Sequence, residues 1–166
     1  QRMQLAIALS EENVRKQTGG PFGAIVVAED SGLLVGAGVN LVTSLRLSMA
    51  HAEIVALSLA QRAVNSWDLG TTSRMQLVTS CEPCAMCFGA VPWSGVSSIV
   101  CGARKGDAAA AGFDEGDKPD NWAASLRKRG IEVRLDVLRE EAVQVLRAYA
   151  DQQGAIYNPG KSPGAP

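Results

Sequence analysis

The chain is poor in the residues that most often bind metals: it has one histidine, His51, and four cysteines among 166 residues. It also lacks an excess of charge, with 16 Lys and Arg against 17 Asp and Glu. This balance gives no electrostatic footprint for a polyanion, and basic residues cluster only in "RKRG" at 127–130. No apolar run reaches the ~18 residues needed to span a membrane. No signal-peptide pattern is present, so the expected setting is the cytoplasm. There is no internal repeat and no linker. One domain over residues 1–159, with a mobile tail at 160–166, is the default at this length. A domain of this size buries roughly 68–70% of its unfolded surface and needs no disulfide staple. Without a sign of secretion, clustered thiols read as metal ligands or catalytic groups rather than bridges.

Periodicity places the elements. Met3, Leu5, Ala6, Leu9 and Val14 recur at helical spacing, which predicts an amphipathic helix over 2–16. "GGP" ends it, and "FGAIVVAE", "DSG" and "LLVGAGVN" read as an antiparallel hairpin. "HAEIVALSLAQRAV" is a buried helix, "RMQLVTS" a strand, "PCAMCFGAVPW" a short helix and "SSIVCGA" a strand. "GDAAAAGFDEGDKPD" reads as a loop with one helical turn. "NWAASLRKRG" is a helix ending on Gly130, "IEVRLDV" a strand and "LREEAVQVLRAYADQQ" the closing helix. Alternation of this kind predicts an α/β sandwich of about five strands with helices on both faces. The helix between the fourth and fifth strands makes that pair parallel, through a right-handed crossover.

Three of the four thiols fall in "TSCEPCAMCFGA" at 79–90. Cys84 and Cys87, three apart at a helix start, share one face, and Pro83 suits that start. Alone, such a pair could be a redox couple or ordinary buried thiols. His51 opens a second helix in "MAHAEIVAL". Two thiolates and one imidazole make three zinc ligands and leave a fourth position for water, the arrangement of a catalytic rather than a structural site. Both helix N-termini would face the metal, where their dipoles favour anions. Glu53, in the first turn after His51, can stand beside the metal without ligating it and act as general base and acid. Cys81 and Cys101 read as spectators, because three ligands are already supplied.

The pairing of H-x-E with P-C-x-x-C is the signature of zinc-dependent nucleobase deaminases. With "GGPFGAIVV", "GVN", "AHAEIVALSLAQ", "TSCEPCAMCFGAVPWSG", "GFDEG" and "IYN", the chain resembles the cytidine-deaminase-like superfamily, and within it the bacterial guanine deaminases. The resemblance implies a three-layer α/β/α sandwich with a mixed five-stranded sheet, one Zn2+ per chain, and a homodimer. In such a dimer the C-terminal helix and tail can be exchanged between subunits. It also implies site roles. Phe22 and Trp93 would pack against a planar base, Asn40 and the backbone N–H of Ala52 would hydrogen-bond it, and Glu115 would help move protons to the departing amine. Asp114 beside it reads as a turn or capping group near the substrate, and Tyr157 would close an active site.

The leading expectation is therefore hydrolytic deamination of guanine to xanthine and ammonia, on a small-molecule substrate with neither nucleic acid nor membrane as partner. The alternatives within the same chemistry are guanosine, cytosine or cytidine, aminotriazines and pterins. A tRNA adenosine deaminase shares "TSCEPCxMC" but would need a phosphate-binding surface. A structural zinc module would need a fourth protein ligand.

Overall fold

The computed structural model describes residues 1–158; the expected tail at 160–166 lies outside the described residues. Strand β1 (Gly23–Ala28) is buried over its whole length, as its unbroken apolar sequence requires of a strand covered on both faces. It pairs antiparallel with β2 (Leu34–Val39) on one side and with β3 (Met75–Cys81) on the other. Strand β4 (Ser98–Ala103) joins β3 in parallel, and the short β5 (Glu132–Arg134) joins β4 in parallel. The sheet order is β2-β1-β3-β4-β5. Five strands and the parallel last pair are as expected from the sequence.

Alternate side chains of β1 feed two cores. Ala24 and Val26 meet Leu77 and Ile99, helix α3 (Ala52–Val64), helix α4 (Ala85–Ser94) and helix α6 (Trp122–Lys128). Ile25 and Val27 meet Val78, helix α1 (Arg2–Arg15) and helix α7 (Arg139–Asp151). The result is the three-layer sandwich. The short helix α2 (Val42–Leu45) was not expected, whereas α5 (Lys105–Ala110) supplies the helical turn expected in the stretch read as loop.

The buried stripe of α1 departs from its apolar pattern. Met3, Ala6, Ile7, Ser10 and Asn13 face inward, while Leu5 is 40% exposed. Asn13 is inside because its side-chain amide donates to the carbonyl oxygens of Gly20 and Asn40, both at 2.8 Å. These two bonds tie the Gly19–Phe22 turn to the end of β2.

Helix α3 lies directly on β2 because Gly36 and Gly38 leave it room. A Cβ at Gly36 would stand 2.5 Å from the Ala56 carbonyl oxygen, and one at Gly38 2.5 Å from the Ala56 nitrogen. This approach sets the N-terminus of α3 beside that of α4.

Candidate active site

His51 is the N-cap of α3 and Cys84 the N-cap of α4, so the two helix starts converge as the spacing predicts. Cys87 lies one turn into α4. One ligand atom each from His51, Cys84 and Cys87 fall within 4.8 Å of one another, and His51 Nδ1 is 3.5 Å from Cys84 Sγ. Hydrogen bonding from Cys87, and with it that from His51, pulls the Cys84 thiol well down against the opposing effect of burial, which favours its thiolate form. Burial opposes the charged form of His51, but the hydrogen bond with Cys84 and the charge of Glu53 raise its pKa overall. A nitrogen and two sulfurs at this spacing fit zinc, which takes such donors in tetrahedral sites and displaces their protons on binding. Cys81 does not join them: it is buried and its thiol points to the Arg104 carbonyl oxygen at 3.8 Å. Cys101 is fully buried in β4. Among the described residues no other His, Cys, Asp or Glu completes a fourth protein position.

His51 and Cys84 line a cavity of about 330 Å³ whose wall also includes Phe22, Asn40, Glu53, Phe113, Glu115 and Tyr157, and Cys87 is fully buried next to them. Glu53 and Glu115 are 6% and 7% exposed. Burial, reinforced by the negative Cys84, lifts the Glu53 carboxyl to about 7. The same two causes, with the charge of Glu53 added, lift Glu115 to about 8. Two carboxyls perturbed in this way in one cavity are poised for proton transfer near neutral pH. Glu115 Oε2 and the hydroxyl of Tyr157 are buried without a hydrogen-bond partner among the described residues. Such atoms are costly to leave unpaired and mark where a polar ligand belongs.

Asn40 is 1% exposed. Its Oδ1 accepts from the backbone N–H of Val42 at 3.2 Å and of Gly20 at 3.4 Å. With its oxygen engaged, the amide offers its NH2 to the cavity, as a donor only. Phe22 sits edge-on to Phe113, ring centroids 4.9 Å apart, and Phe113 contacts Tyr157 at 5.3 Å. Ala52 is fully buried at the first position of α3. Asp114 is a turn former whose Oδ1 accepts from Gly116 N–H at 2.9 Å, though it also borders the cavity. Tyr157 and Asn158 wall the cavity of their own chain, with the Asn158 amide bridging Asp114 N–H and the Gly112 carbonyl.

Trp93 and Ala52 are the expected substrate contacts that do not line the cavity. The inward face of α4 carries Cys87 and Val91, which turns Trp93 outward at 83% exposure. Phe113, Glu82, Lys118 and Asn158 were assigned no role from the sequence, although "GFDEG" and "IYN" flank or contain two of them.

Comparison with known proteins supports the chemistry of this arrangement. The family model for the cytidine and deoxycytidylate deaminase zinc-binding region matches residues 1–103. The chain belongs to this family. It is accordingly a zinc-dependent hydrolytic deaminase. It is 38% identical over 113 residues to a guanine deaminase of Bacillus subtilis, covering 68% of this chain and 69% of that one. A solved guanine deaminase from Nitrosomonas europaea is 50% identical, with a TM-score of 0.88 over 90% of this chain and 83% of that one. The crystal structure of NE0047 in complex with 2,6-diaminopurine is 51% identical, with a TM-score of 0.90 over 95% of this chain and 84% of that one. No helix among the described residues is long and apolar enough to cross a membrane.

Proposed function

We propose that this deaminase acts on free guanine in the cytoplasm and releases xanthine and ammonia. The observation that carries the reading is the meeting of the His51–Cys84–Cys87 cluster with two buried carboxyls in one base-sized cavity. These three residues would hold one zinc per chain, which would supply the Lewis acidity that activates a water for attack. Glu53 stands beside the cluster and is the group that accepts a proton from the attacking water and returns it to a ring nitrogen next to C2. Glu115 serves the other proton: its Oε2, buried without a partner among the described residues, supports this role, in which the amine leaves as ammonia when the C2–N bond breaks and the C2–O bond has formed. Phe22 packs on the base, and the Tyr157 hydroxyl and Ala52 N–H supply polar contacts at its edges.

Asn40 supports guanine in particular. Its amide donates into the cavity, and guanine presents the acceptors O6 and N7 on the edge away from its amine. The base also fits the relatives, of which two are guanine deaminases and one binds 2,6-diaminopurine. The outward stripe of α4, with Met86, Gly89, Ala90 and Trp93 at helical spacing, is the face on which a second copy would pack, giving a homodimer. Trp93→Glu should then sediment as a monomer.

The test of substrate is ammonia release by zinc-loaded protein from guanine, guanosine, cytosine, cytidine, pterin and aminotriazines, and from adenosine in tRNA. Guanine should be preferred, with xanthine formed in equal amount to ammonia. Release from tRNA adenosine and none from guanine would overturn the reading. Metal analysis should return one zinc per chain.

A further inference from the structure

The segment from Gly112 to Asp120, which carries Glu115, belongs to no helix or strand. Asn158 holds it at Gly112 and Asp114 and Lys105 at the Gly116 carbonyl, and further bonds run to the turn between β3 and α4 and the start of α4. The Glu115 carbonyl accepts the Ala85 N–H at 2.9 Å. Three residues on, the Lys118 side chain enters the protein and is 1% exposed. Its ammonium donates to the Pro83 carbonyl at 2.7 Å and approaches Glu82 Oε2 at 3.4 Å. The third side of the ammonium lies over the Trp122 ring, 4.5 Å from its centroid. Glu82 is itself 5% exposed, and its other contacts are Arg104 Nη1 at 3.1 Å and the Lys105 N–H at 3.2 Å.

A fully buried ammonium is among the most expensive groups a fold can hold, and it persists only where its charge and hydrogen bonds are met. Here all three faces of Lys118 are met, and every partner except Trp122 belongs to the two residues immediately before Cys84. We infer that Lys118, through Glu82 and the Pro83 carbonyl, is a positioning residue that fixes Glu115 relative to the Cys84 end of the site. It touches neither base nor metal. The inference rests on the reading of Glu115 as the group that serves the departing amine.

Lys118→Met keeps an unbranched apolar stem out to Cε and removes the ammonium with its donors. A displacement of about 1 Å at a catalytic group can cost on the order of 100-fold in rate. Lys118→Met should therefore lower kcat by about 10- to 100-fold, change KM much less, and keep one zinc per chain. Hydrogen exchange should accelerate in the peptides spanning 84–86 and 112–119 and not in β1. In a Glu115→Gln background the same substitution should cost no more than about 3-fold, because residues acting through one group are not additive. Should Lys118→Met fold poorly, Glu82→Gln removes the ion pair and leaves the Pro83 bond, and it should show the same non-additivity on a smaller scale.

If Glu115→Gln lowers kcat and the Lys118→Met loss is just as large on top of it, Lys118 acts elsewhere and this inference alone fails. A Lys118→Met enzyme with wild-type kcat overturns it equally. Normal turnover by Glu115→Gln would overturn the reading of Glu115, and the positioning role with it.

Discussion

Gly38→Ala adds one methyl group in a place where the backbone leaves no space for it. The new Cβ would stand 2.5 Å from the Ala56 nitrogen, against 3.4 Å or more for ordinary contact, and closer still to the Ala52 carbonyl oxygen. Both obstacles are backbone atoms of α3 and cannot rotate aside, so the helix must withdraw from β2 by about 1 Å, an overpacking that costs typically 1–3 kcal/mol. The atoms it would carry outward are those of His51, Ala52 and Glu53, while Cys84 and Cys87 stay with α4. A misplacement of that size is worth on the order of 100-fold in rate. The variant should thus lose kcat out of proportion to its fall in melting temperature, and bind zinc more weakly. Gly106→Ala is the control: it lies in α5 with nothing within 4 Å of the added carbon, and alanine in a helix interior should stabilise by about 0.5–1 kcal/mol. Steady-state kinetics, calorimetry and zinc titration of both variants test the argument. A Gly38→Ala enzyme with wild-type kcat and zinc affinity would refute the claim that the glycine contact sets the metal and proton-transfer geometry.

Glu53→Gln should keep fold and zinc and lose at least about 100- to 10,000-fold in kcat, since an amide cannot accept the proton; turnover of the zinc-loaded variant measures it. Glu115→Gln should lower kcat strongly with zinc content intact and guanine affinity less affected, and Glu115→Asp should retain part of the rate. On the acid side, hydrogen bonds from Arg139 hold Asp107 below its ordinary value. The native state therefore binds fewer protons there than the unfolded chain, and this stabilisation is full above the ordinary carboxylate range and fades as pH falls through the folded value. Melting temperatures from pH 6 to pH 2.5 should fall less steeply for Arg139→Gln than for wild type.

The parts of the site that are legible in sequence are those whose geometry is local. Cys84 and Cys87 meet because they are three apart on one helix, and Glu53 stands by His51 because it is two residues on. Lys118 and Glu82 are separated by 36 residues, and Asn158 and Asp114 by 44. Neither pair leaves a mark on spacing, and a lysine in an acidic loop reads as solvated. The orientation of Trp93 was hidden for another reason. Helix α4 is apolar on nearly every side, so its sequence does not say which face is inward. The stripe of α1 misled in the opposite sense: Ser10 is buried with its hydroxyl bonded to the Ile7 carbonyl of its own helix, and Asn13 is buried to satisfy backbone groups of other segments, which a count of apolar residues cannot reveal. The sheet was read correctly because β1 to β4 are runs of six or seven mostly apolar residues, which admit few alternatives, whereas β5 keeps only Glu132–Arg134 of the seven residues read as a strand.

The walls of the cavity come from nearly the whole length of the chain: Phe22, Asn40, His51, Cys84, Glu115 and Tyr157 all border it. They differ greatly in how firmly they are held. β1 and α3 are rooted in the cores, whereas Gly112–Asp120 and the Tyr157 segment depend on a handful of hydrogen bonds and ring contacts. Segments of that kind open at lower free energy than the sheet. Heating should therefore silence the enzyme reversibly while the sheet is still intact, so that activity and circular dichroism give two different transition temperatures for one molecule. The catalytic thermometer reads the weakest wall, not the strongest.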